Sequence, residues 1–125
     1  GEKWYDKLMS FRFKKFKVYQ DTQLLHLEVF KLTSVWPRNY YYLSDQLRRA
    51  SLSIVLNIAE GSSKQSDKDF NRFLTISLGS IDEVVACLEL AYKLDLITSK
   101  DYEELERKHE SASMQLGGFS KSLKS

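Results

Sequence analysis

A chain of 125 residues with 42% hydrophobic and 29% charged side chains has the composition of one ordinary globular domain, long enough to bury a core without disulfides. Its single cysteine, Cys87, excludes an intrachain disulfide, and no apolar run approaches the roughly 18 to 20 residues a membrane span needs. Net charge is +2 but uneven: residues 1–19 hold six cations against two acids, so the remainder is net acidic and any attraction to an acidic partner is local. No secretory signal opens the chain, and a cytoplasmic location without membrane contact is expected.

Residues 1–16 mix aromatics with cations and lack a clean helical period, which predicts a basic aromatic arm ahead of a bundle domain over 17–125. From Val18 the stripe Val18, Thr22, Leu25, Val29, Leu32 and Trp36 follows heptad steps, the pattern of an antiparallel bundle helix. Pro37 stops it, having no amide donor and disfavouring a helical residue before it. A second helix is predicted from Tyr41 to Glu60, with Gly61 at the C-cap. Leu43, Leu47, Ala50, Ile54 and Ile58 form its core stripe. Leu52, Val55, Leu56 and Ala59 add apolar surface outside that stripe, so this helix must be covered on more than one side. Gln46, Arg49, Ser53, Asn57 and Glu60 draw a polar line beside it, and each buried polar group without a partner would cost about 1 to 3 kcal/mol.

After the polar loop SSKQS, Ser66 followed three positions later by Asp69 opens a third helix, predicted from about Asp67 to Leu94. Its stripe is Phe70, Leu74, Ser77, Ile81, Val84, Leu88 and Ala91. Gly79 and Ser80 interrupt it; a mid-helix glycine costs about 1 kcal/mol, which predicts a close helix-to-helix approach there. Thr98 or Ser99 caps a fourth helix carrying Tyr102, Leu105, His109, Ala112, Leu116, Phe119 and Leu123, with fraying expected at Gly117 and Gly118. With neither strand alternation nor repeats, the fold class is all-α: an up-down-up-down antiparallel four-helix bundle.

The segments QLRRASLSIVLNIAEG at 46–61 and KDFNRFLTISLGSIDE at 68–83 resemble the bacterial four-helix-bundle proteins encoded in intervening sequences of large-subunit ribosomal RNA. These are similar in structure to the accessory variability protein of diversity-generating retroelements. The resemblance runs over nearly the whole chain from Val18 and implies a bundle that self-associates, often as a pentameric ring. In the retroelement relatives a positively charged ring binds nucleic acid and a reverse transcriptase. This chain departs in two ways: RNYYY follows Pro37 where relatives often carry an acid, and its net charge is modest.

Two readings compete at each candidate site. Arg12, Lys14, Lys15 and Lys17, interleaved with Phe11, Phe13 and Phe16, suit single-stranded RNA or DNA, with cations for phosphate and rings for base stacking; alternatively the rings cap the open end of the bundle. Arg48 and Arg49 either contact phosphate or pair with Glu60, Asp82 or Glu83 of this or a neighbouring chain. Gln46, Ser53, Asn57 and Glu60 read as structural glue toward Gly79, Ser80 and Glu83. Glu106 and His109 form a single E-x-x-H where a di-iron bundle needs two plus further glutamates, so neither metal nor cofactor is expected. A catalytic motif is likewise missing. The expectation is a non-enzymatic homo-oligomeric scaffold, a pentamer by resemblance, with another protein or nucleic acid as further partner. The alternative is a metal-dependent enzyme whose core site would draw on Glu28, Glu60, Glu83, Glu106 and His109.

Overall fold

The computed structural model describes residues 11–124. Four helices account for most of this length: α1 (Lys17–Thr33), α2 (Tyr41–Ser62), α3 (Asp67–Lys93) and α4 (Ser99–Lys124). Short 3-10 turns precede α1 (Arg12–Lys15) and α2 (Arg38–Tyr40). Cross-helix pairs give the directions. His26 meets Ser51 and Thr33 meets Arg48; Ile54 meets Ser77 and Gln46 meets Glu83; Asn71 meets Ser120 and Tyr92 stacks on Tyr102; Asp21 meets Gln115 and Glu28 meets Lys108, so in every sequential pair and in the closing α1–α4 pair the numbers rise on one helix as they fall on the other, and the helices run antiparallel. The up-down-up-down order follows from those pairings and the short connections.

The predicted stripes are the core. Leu25, Val29, Leu47, Ile54, Ile58, Leu74, Ile81, Val84, Leu88, Ala112 and Leu116 are all buried, one face from each helix. Ser77, predicted in the α3 stripe, is fully buried because its hydroxyl donates to the Ile54 carbonyl at 2.9 Å, which ties α3 to α2. Local chemistry sets the ends. Ser66 caps α3 by accepting from the Asp69 amide, and Thr98 caps α4 by accepting from Asp101. Between them the chain reverses at Asp95, whose φ of 61° is left-handed; the Leu96 amide donates to Ala91 and the Asp95 amide to Tyr92, satisfying the last carbonyls of α3.

Four expectations are corrected. Gly61 is not a C-cap: α2 continues through Ser62, and Gly61 lies inside it. A Cβ placed there would sit 2.8 Å from the Phe73 Cβ and 3.0 Å from the Phe70 ring, so glycine is required by the approach of α3. Gly79 has the opposite fate. Nothing lies within 4 Å of where its Cβ would be, so the predicted close approach is at Gly61 instead. Gly117 and Gly118 do not break α4, which runs to Lys124 because Phe119 is held against Phe16 and Phe70 and Ser120 bonds Asn71. Trp36 also falls outside α1, which ends at Thr33, and its amide closes a turn onto Thr33.

Candidate interaction surfaces

The part of the arm that is described, Phe11 to Phe16, folds back over one end of the bundle; the rest of it lies outside the described residues. Phe16 packs edge-on to Phe119 at 5.1 Å and stacks near Phe70, while Phe13 meets Tyr19 at 4.9 Å. Arg12 lies over the Phe16 and Phe70 rings and donates to the Ser62 carbonyl at 3.2 Å, so it fastens the arm to the end of α2. Lys14 lies over the Phe11 ring, and Lys17 pairs with Asp21 at 2.6 Å. That bond holds the Asp21 carboxyl below the usual carboxylate range, ahead of the opposing effect of burial. Most of the aromatic surface offered for base stacking is thus spent on the cap, and Phe11 alone of these rings is largely exposed.

The antiparallel fold brings further cations to the same end. Lys64 after α2 and Arg72 in α3 both lie over the Phe73 ring, at 4.9 and 5.1 Å, and Lys68 stands one turn before Arg72. Counting residues 11–21, 60–73 and 117–123, this end carries eight cations against four acids, while residues 22–59 and 74–116 carry eight against eleven. Sequence reading assigned the excess to the arm and missed Lys64, Lys68 and Arg72. Their separation along the chain hides them, although the short loop between the second and third helices was signal enough to place them beside the arm.

Arg48 and Arg49 take different partners from those expected. Arg48 spans the α1–α2 seam, donating to the Thr33 hydroxyl at 2.7 Å and the Phe30 carbonyl at 3.3 Å, with its guanidinium 4.4 Å above the Phe30 ring. It therefore caps the C-terminus of α1, where a cation is favoured by the helix dipole. Arg49 pairs with Asp45 on its own helix at 2.9 Å. The polar line is realised in part. Gln46 bonds Glu83, Ser53 receives Ser80 at 2.9 Å, and Asn57 donates back to Ser53, forming a ladder along the α2–α3 seam. Glu60 instead faces Lys64 at 4.0 Å, and Gly79 takes no part.

The residues of the metal alternative are not brought together. Glu106 accepts from the Tyr102 hydroxyl at 2.6 Å, which pushes that phenol up to about 12, whereas His109 points into the core with Nδ1 2.7 Å from the Leu105 carbonyl. Among the described residues no group of three or more His, Cys, Asp or Glu side chains could hold a metal ion. Cys87 is buried, and burial with Glu83 nearby raises its thiol, the opposite of what a reactive thiolate requires.

Part of what the bundle leaves uncovered is apolar. Leu52 and Leu56 on the outer side of α2 are 42% and 54% exposed, and Leu27 and Phe30 on α1 are similarly open. A second exposed set, Leu24 and Met114, borders the seam between α1 and α4, the loosest of the four. No helix among the described residues is long and apolar enough to cross a membrane.

An all-α bundle with a capped end, a polar ladder and open apolar flanks defines the class. The chain belongs to the 23S rRNA-intervening sequence protein family, whose model matches residues 14–118. In structure it is similar to a protein of unknown function from the S23 ribosomal protein family of Bacteroides thetaiotaomicron, with a TM-score of 0.76 and 26% identity over 83% of this chain and 98% of that one. Among curated proteins, none matches.

Proposed function

We propose that this chain is a non-enzymatic homo-oligomeric scaffold, pentameric as its resemblance implies. The observation that carries this reading is the exposure of Leu27, Phe30, Leu52 and Leu56 after all four helices have packed. Exposed apolar patches of this kind mark association sites on soluble proteins. Light scattering at micromolar concentration is expected to give five times the 14.6 kDa chain mass. A mass of one chain would overturn the proposal, and another multiple would correct the copy number.

A second reading is favoured by the gathering of Lys64, Lys68 and Arg72 beside Lys14 and Lys15. This end offers phosphate contacts without much base stacking, so RNA and DNA, single-stranded or duplex, are expected to bind alike through the backbone and to dissociate as salt rises. Changing Lys14, Lys15, Lys64 and Lys68 to glutamine is expected to lower the slope of log affinity against log salt by about 3 to 4 per chain engaged. Fluorescence anisotropy at low salt checks this. Absence of binding by the parent protein, or an unchanged slope in the quadruple variant, removes nucleic acid from the function and leaves a protein scaffold.

A further inference from the structure

We infer that the depression between the end of α1 and the start of α2 binds a phosphate group, as the free dianion or as a small phosphate monoester. It lies at the opposite end of the bundle from the basic cap: Tyr41 and Ser44 open α2 here, whereas Arg12 bonds Ser62 at the other end of that helix, roughly 30 Å away. The depression has a volume of about 260 Å³, and Trp36, Arg38, Tyr41, Ser44 and Arg48 line it together with the last residues of α1. None of its lining residues is an acid.

Two cations are left uncompensated there. Arg38 is exposed and makes no hydrogen bond or ion pair among the described residues. Arg48 gives Nε to the Thr33 hydroxyl and Nη2 to the Phe30 carbonyl and the Ser34 hydroxyl, so its charge meets no carboxylate and Nη1 stays available. Asp45, the acid nearest in sequence, is engaged by Arg49. The helix ends that meet here do not alter this balance, because the C-terminus of α1 and the N-terminus of α2 carry partial charges of about −0.5 and +0.5, which cancel. The two guanidiniums set the field. A phosphate group carrying about −1.5 to −2 near pH 7 matches them, where a carboxylate would leave one in excess. Hydrogen bonding points the same way. The lining hydroxyls already give their protons to backbone carbonyls, Thr33 to Val29, Ser34 to Phe30 and Ser44 to Tyr41. Donors remain on Arg38, Arg48 and Trp36, whose indole N–H is buried without a partner. Donors on three separate side chains suit a tetrahedral group better than a planar carboxylate, and an oxygen reaching the indole would satisfy a donor that is costly to leave unpaired.

The indole proton is the reporter. Trp4→Phe leaves Trp36 the single tryptophan, so its Nε1–H peak in a nitrogen–proton correlation spectrum is assigned directly. Titrating inorganic phosphate and, separately, glycerol 3-phosphate at constant ionic strength is expected to move this peak downfield to saturation, with acetate needing about ten times the concentration or more. Phosphate bound at the basic end is too far away to move it. Arg38→Gln removes a side chain that holds nothing in the fold, so the unfolding midpoint is expected to stay and phosphate to bind about tenfold more weakly. Arg48→Lys, which keeps a charge at the end of α1 without the planar fork, is expected to weaken phosphate as well. Saturation by inorganic phosphate alone assigns the site to the free ion, and saturation by both assigns it to the phosphate of a monoester. A peak that stays still, that moves equally with acetate or chloride, or that responds identically in Arg38→Gln overturns the phosphate site, whatever the number of copies in the assembly.

Discussion

Gly61→Val is expected to destabilise the bundle by about 3 kcal/mol, whereas Gly79→Ala is expected to stabilise it by about 1 kcal/mol. The two glycines sit in neighbouring helices and differ in what surrounds them. At Gly61 a new Cβ would meet the Phe73 Cβ at 2.8 Å and the Phe70 ring at 3.0 Å. Neither neighbour can yield cheaply: a Cβ is fixed to its backbone, and the Phe70 ring is wedged between Phe16 and Phe119 and sits under Arg12. The helices must part, and separation is felt along a seam that depends on the Ser77–Ile54 and Ser80–Ser53 bonds. Alanine at this position should lose less, because its better helix propensity offsets about 1 kcal/mol of the clash. At Gly79 nothing beyond its own helix backbone lies within 4 Å of where the Cβ would be, so alanine gains the propensity at no steric cost. Urea unfolding at one fixed protein concentration measures both, since association adds to apparent stability. Equal midpoints for Gly61→Val and the parent would show that the approach of α2 to α3 is looser than the structure has it.

The second large effect is acid lability centred on His109. Its imidazole is fully buried; Nδ1 donates to the Leu105 carbonyl and Nε2 has no partner, so the ring is neutral and a proton would be added in the core. Burial drives its pKa below 6.5, with only partial opposition from the Leu105 bond and from Glu28. The unfolded chain therefore binds a proton near pH 6.5 that the folded chain refuses. Stability is complete above that pH and falls as pH drops from about 6.5 toward the folded value, at a rate approaching 1.4 kcal/mol per unit. His26, also lowered by burial and then by Arg48, adds in the same direction. The Asp21 carboxyl contributes only at lower pH, below its unfolded value of 3.8. Unfolding measured between about pH 7 and pH 5 should show this loss, and His109→Leu, which removes the titrating ring and its orphaned nitrogen, should flatten most of it. Parent stability that does not change over this interval would mean that the ring is solvated or protonated in the folded state.

Much of this bundle is legible in the sequence, because a core stripe is a periodic signal within one helix. Leu43 through Ile58 and Phe70 through Ala91 could be assigned to buried faces before any neighbour was known, and they are buried. The caps at Ser66 and Thr98 were equally readable, since a capping side chain acts within three residues of itself. The glycines were misassigned because their meaning is not local. A glycine at a helix end and a glycine under another helix look alike until the facing residue, here Phe73, is placed. Arg48 is misplaced for the same reason, since its partners lie on α1 and no pattern within α2 selects Thr33 and Phe30 over Glu83, whereas the Arg49 partner, Asp45, lies four residues back on the same helix and was within reach of the sequence.

By itself the sequence determined four helices, their inward faces, the caps that open α3 and α4 and the excess of apolar surface on α2, each a consequence of short-range sterics or of hydrophobic periodicity. Only the tertiary structure decided that the described part of the arm is a cap, that Lys64, Lys68 and Arg72 join its cations at one end, and that Leu24 and Met114 stay exposed beside the α1–α4 seam. Those are matters of which residues from different helices share a place. Chain direction and packing set such juxtapositions, and neither leaves a repeat within any single helix from which it could be read.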